Sequence, residues 1–157
     1  MSKWYGNLTN RLEEGHNYSG KELAVGTDIT MYYWSDRSCY FITKVVDQKH
    51  IFVKRYEVCA DHHKAGGQGH QDWLYFKTAR EMQEYTNKCV DEGLLPDYCK
   101  HNLEEIKDNS EVEWVFRYNH WYEVVRSRWG KPLEKPEYVR LQPISFGVRD
   151  YYYDWEF

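Results

Sequence analysis

Cys59, Asp61, His62, His63 and His70 crowd into one short stretch and supply every ligand type that zinc and related transition metals accept: thiolate, imidazole and carboxylate. Cys59-x-x-His62 is a workable chelate spacing, and the loop Gly66-Gly67-Gln68-Gly69 is able to fold His70 back onto it. A two-Cys, two-His site presents two matched pairs, however, and no second cysteine lies nearby. Three glycines also leave the loop too loose to hold a preformed site. The expectation is a solvated loop without stoichiometric zinc, with Cys59, His62, His63 and His70 as the weak metal candidates. The same glycines match neither the G-x-x-x-x-G-K-[ST] phosphate loop nor the G-x-G-x-x-G dinucleotide turn. Nucleophilic chemistry has less support still. Ser35 and Ser145 do not sit in a G-x-S-x-G elbow. Cys39, Cys59, Cys89 and Cys99 lack an activating context and read as reduced, small buried hydrophobes. No catalytic residue and no cofactor is expected.

Rings interleaved with arginine are the stronger signal. Trp34, Arg37 and Tyr40 form one group; Arg149, Tyr151, Tyr153 and Trp155 form another. Guanidinium beside aromatic faces suits base stacking, an anionic small-molecule pocket or a protein interface, because these residue types give large contact area and charge-assisted bonds. Strand alternation puts Arg149, Tyr151, Tyr153 and Trp155 on one face and Asp150, Tyr152 and Asp154 on the other. Both groups are expected to carry ligand or partner binding.

The scaffold that must position them is written in the composition. The chain has 157 residues, with 28 aromatic side chains against 26 Val, Ile and Leu and only four Ala, so its core is built from rings and leans towards strands. Net charge is −4, which disfavours a generic nucleic-acid coat. No run approaches the length of a membrane span, and the start lacks an apolar signal core, which leads us to expect a cytoplasmic protein. Residues 1–24 read as an N-terminal extension and 25–77 as a β meander. Within it Ile29–Trp34, Cys39–Val46 and His50–Val58 are the strands, joined by tight turns. Thr78-Ala79-Arg80-Glu81 is a capping box, and Met82, Tyr85 and Cys89 recur at helical spacing until Gly93 and Pro96, which predicts a helix over 79–92 docked through that stripe. Residues 111–129 fit a strand and a helix alike, with ring content favouring strand. Pro132, Pro136 and Pro143 mark a loop region with a short extended piece at Tyr138–Leu141, and 111–157 supplies the C-terminal strands, ending in a closing pair at Ile144–Val148 and Tyr151–Trp155. The fold class expected is a single β-rich α+β domain, either a small SH3-like barrel or a strongly bent antiparallel sheet, with one packed helix.

Met31-Tyr-Tyr-Trp-Ser-Asp-Arg37, Asp47-Gln-Lys-His-Ile-Phe-Val-Lys54, Gly69-His-Gln-Asp-Trp-Leu-Tyr-Phe76 and Ser145-Phe-Gly-Val-Arg-Asp-Tyr-Tyr-Tyr-Asp-Trp-Glu-Phe157 together resemble a group of small proteins from tailed bacteriophages and gut viral sequences, of unassigned function. The resemblance implies a phage accessory protein working in a bacterial host cytoplasm and transfers no catalytic residues. The function expected is non-enzymatic: binding and blocking or sequestering a host component, as counter-defence or host-takeover inhibitors do. The partner classes are a host protein or an anionic nucleotide-like small molecule, with no membrane partner and with homo-oligomers left open. Two alternatives stand beside it. One is a nucleic-acid-binding small barrel using Lys54-Arg55, Arg37 and Arg149; the other is a metal-dependent enzyme using the His-rich loop.

Overall fold

The stretch densest in β-branched and aromatic residues forms β1 (Asp28–Tyr32), β2 (Arg37–Asp47) and β3 (His50–Arg55), an antiparallel meander. The structure is a computed structural model that describes residues 22–64 and 71–152. Register shifts between Ile42 and Lys44 and between Val45 and Asp47 bend β2 over β3. The sheet continues through β6 (Val112–Arg117), β7 (His120–Arg128) and β8 (Lys131–Arg140), while β9 (Ile144–Phe146) pairs with β1. The strand order is β8-β7-β6-β3-β2-β1-β9.

Curvature brings the two ends of this sheet together. The Trp121 ring on β7 meets Phe146 on β9 at 5.6 Å, five strands away in the sheet order. The connection between β8 and β9 spans the seam, since Leu141 N–H donates to the Trp121 carbonyl (3.0 Å) and Tyr32 N–H to that of Pro143 (2.9 Å). No ladder joins β8 to β9, so of the two forms expected the bent sheet is the one realised. Its inner face holds the main core, including Ile29, Ile42, Ile51, Val53, Trp114 and Trp121. The outer face carries the alternate residues.

The meander does not run unbroken to residue 77. Tyr56 interrupts it: its N–H donates to the Cys39 carbonyl (3.0 Å) and its buried ring packs on Phe41 at 4.8 Å, turning the chain out of the large sheet. β4 (Glu57–Ala60) then pairs with β5 (Trp73–Phe76) as a separate two-stranded ribbon. Helix α1 (Ala79–Asp91) starts where the capping box predicts, with the Thr78 side chain accepting from Glu81 N–H, and Gly93 ends it at φ 81°. Cys89 is fully buried, Tyr85 lies on Phe76 at 5.7 Å, and Met82 is half-buried, so the helix rests on the ribbon rather than on the large sheet.

Two further corrections concern the second half. Residues 111–129 are strand rather than helix, as the ring content favours, but in two pieces, because Tyr118 and Asn119 (φ 51° and 63°) make a two-residue turn between β6 and β7. Pro143 lies in the connection to β9, but the rest of the proline-marked region, expected to be extended only from Tyr138, is strand β8 from Lys131. It is an edge strand, where Pro132 and Pro136 cost few ladder bonds. Among the described residues, no helix is long and apolar enough to cross a membrane.

Candidate functional site

The C-terminal segment after β9 runs as a strap across the outer face of the large sheet. Thr30, fully buried on β1, anchors it. Its hydroxyl donates to the Val148 carbonyl (2.7 Å) and accepts from Asp150 N–H (3.1 Å). Tyr151 N–H donates to the Tyr75 hydroxyl on β5 (2.8 Å), and Tyr152 exchanges backbone bonds with Arg37 of β2 (2.9 and 3.3 Å). The strap thereby joins the large sheet to the ribbon. Beneath it Cys39, Phe41 and Tyr56 form a second small core with Val58, Tyr75 and Tyr151.

Alternation along the strap decides what each side chain does. Arg149 and Tyr151 turn towards the ribbon. The Arg149 guanidinium lies over the Tyr75 ring (4.4 Å) and beside that of Tyr56 (5.5 Å), while Tyr151 stands edge-on to Trp73 at 4.7 Å. Asp150 and Tyr152 turn towards β2: Arg37 pairs with Asp150 at 2.6 Å and lies over the Tyr152 ring at 5.0 Å. Arg149 remains exposed and, among the described residues, forms no ion pair. Trp34, in the turn leading to Arg37, is 92% exposed. Tyr153 and Trp155 lie outside the described residues.

Trp34, Arg37 and Tyr40 do not form one cluster. Arg37 and Tyr40 are three residues apart on a strand, which places them on opposite faces. Arg37 joins the strap, so the two groups read from the sequence meet through Arg37 and Asp150. Tyr40 points into the coil of the sheet, where its ring meets Trp114 at 5.1 Å. Burial pushes its hydroxyl far above the usual phenol range. The neighbouring Tyr33 and the charge of Glu123 add to this, and Arg55 opposes it. Tyr75 and Tyr56, which seat Arg149, were missed in the sequence because the contact spans two sheets whose separation begins at Tyr56.

Two of the metal candidates, His62 and His63, contact α1. The His62 backbone N–H donates to the Tyr85 hydroxyl (3.0 Å) and its ring stacks on that of Tyr85. His63 bridges the same hydroxyl (3.1 Å) and the Glu92 carboxylate (2.7 Å) through its two ring nitrogens. These contacts dock the loop onto α1. Cys59 is half-buried on β4, and burial pushes its thiol up to about 11. Burial likewise raises Cys39, with the Thr30 hydroxyl partly offsetting it. Both thiols are poorer nucleophiles for it. Among the described residues, no group of three or more His, Cys, Asp and Glu is disposed to hold a metal ion. His70 lies outside the described residues.

No protein-family model, no curated protein and no solved structure matches this chain.

Proposed function

We propose that this chain is a non-enzymatic binding protein, a bacteriophage accessory factor that blocks a host protein in the bacterial cytoplasm through the strap face. One observation carries the reading: two guanidinium groups, Arg37 and Arg149, lie on tyrosine faces along one strap, and Trp34, in the turn three residues before Arg37, is almost wholly exposed. Rings of this kind hold arginine in place before a partner arrives, so less side-chain freedom is lost on binding. Trp, Tyr and Arg are also the residues that dominate interface energetics. The raised Cys39 and Cys59 thiols support binding over nucleophilic catalysis. The phage origin rests on the four sequence stretches that resemble phage proteins.

Capture from bacterial lysate by the tagged full chain, followed by mass spectrometry, tests this. A host protein retained by the wild type is expected to be lost with Arg149→Ala and with Trp34→Ala. The melting temperature of each variant is expected to move by no more than about 2 °C, as for surface substitutions. Equal capture by all three proteins overturns the strap-face assignment. Unfolding of Arg149→Ala makes that residue a structural partner of Tyr75, and Trp34→Ala then decides alone.

A further inference from the structure

We propose that the open mouth of the coiled sheet is a binding site for a nucleotide, a planar base joined to a phosphate. It lies on the inner face, opposite the strap, and does not depend on the reading of the strap face. The mouth is a groove of about 410 Å³ with Tyr40 and Trp114 among its lining rings, Met31 and Val139 among its apolar walls, and Arg55 and Glu123 on its lining. This volume falls within the roughly 300–1,000 Å³ of small-molecule sites, which recur in the mouths of β-barrels.

The two charges decide the ligand class. Arg55 stands directly opposite Tyr40 across the β2–β3 pair and is steadied by a bond to the Ser38 hydroxyl (3.1 Å). Among the described residues it forms no ion pair, although it is close enough to Glu57 to favour that carboxylate's charged form. Its planar fork suits a phosphate. Glu123 faces Trp114 across the β6–β7 pair and, among the described residues, has neither an ion pair nor a hydrogen bond from a side chain. A carboxylate there accepts from the amino edge of a base. The two groups belong to β3 and β7, two strands apart, a backbone separation of at least about 10 Å at roughly 4.8 Å per strand. Both charges act on the Tyr40 hydroxyl, and all three residues line the one groove. An amino-acid zwitterion carries its charges on adjacent groups, whereas these two side chains start from strands two apart, and free phosphate engages Arg55 alone. A nucleotide meets both charges while its base lies on the half-buried Tyr40 ring.

Titration calorimetry of the full chain with AMP, GMP, CMP and UMP, the matching nucleosides, inorganic phosphate and phenylalanine provides the test. At least one nucleotide is expected to bind one-to-one, about tenfold or more tighter than its nucleoside, than phosphate and than phenylalanine. Arg55→Ala should erase the preference for nucleotide over nucleoside. Glu123→Gln, which keeps the shape, should weaken the amino-bearing bases by roughly fivefold relative to UMP. The proposal falls if no nucleotide binds at about 1 mM, if phosphate or phenylalanine binds as tightly, or if both variants bind as the wild type does. Should Arg55→Ala fail to fold, an unchanged base ranking in Glu123→Gln overturns the proposal by itself.

Discussion

Glu113 sits on the outer face of β6, 8% exposed, and a carboxylate taken that far out of water must be paired. Arg126 supplies two bonds (2.7 and 3.1 Å) and His50 Nε2 a third contact at 2.7 Å. The Arg126 hydrogen bond is the main reason its carboxyl is held below the usual range. Burial opposes it, and His50 assists. A carboxyl depressed in the folded chain contributes stability that is fully present above its unfolded value of about 4.3 and is lost as pH falls through the folded value. Glu113→Gln should therefore cost about 1–2 kcal/mol at pH 7. The advantage of the wild type should shrink as pH falls below about 4.3, as followed by urea unfolding at pH 7 and at successively lower pH. Equal stability at pH 7 would show that desolvation cancels the pairing. This triad was invisible in the sequence, because His50 and Glu113 meet only once β3 and β6 are neighbours. The split between Arg37 and Tyr40 was hidden for a related reason: the strand expected from the sequence begins at Cys39, and only the start of β2 at Arg37 sets the two on opposite faces.

At the scale of elements, local signals fared best. The capping box fixed the start of α1, and ring-rich runs marked β1 to β3 because their pairing partners lie close in sequence. The β6–β7 and β7–β8 hairpins escaped notice for a physical reason: their turns use Tyr118-Asn119 and Trp129-Gly130, where rings occupy positions that usually take Asn or Gly. Prolines hid the first part of β8, before Tyr138, since only its place at the sheet edge makes them tolerable. Trp129 pays for that turn with φ 54° while being 96% exposed, so its ring returns no burial. Trp129→Asn creates an Asn-Gly turn and should stabilise the protein by about 0.5–1 kcal/mol, a rise of roughly 2–4 °C in melting temperature. A fall instead would mean that the exposed ring holds part of the protein in place.

For the molecule as a whole, the coiled sheet and the ribbon with its helix are separate hydrogen-bonded units. The rings of Phe41, Tyr56 and Tyr75 meet between them, and the strap fastens this contact. Thr30 is where the fastening is most exposed to test, because one buried hydroxyl serves both the Val148 carbonyl and the Asp150 amide. Thr30→Val keeps the shape of the side chain and removes both bonds, leaving two backbone groups to find water. It should cost about 1–3 kcal/mol. Exchange of the Asp150 and Tyr152 amides with solvent should quicken more than that of β3, whose ladder does not touch the strap. Thr30→Ser, which retains the hydroxyl, should restore slow exchange at both amides even where loss of its methyl group lowers stability. If Thr30→Val quickens exchange evenly throughout the sheet, the hydroxyl supports β1 rather than the strap. If only the strap amides respond, the strap that carries Arg149 and the Arg37 partners Asp150 and Tyr152 is held by that one buried oxygen, and partner capture should weaken in Thr30→Val although neither arginine has been altered.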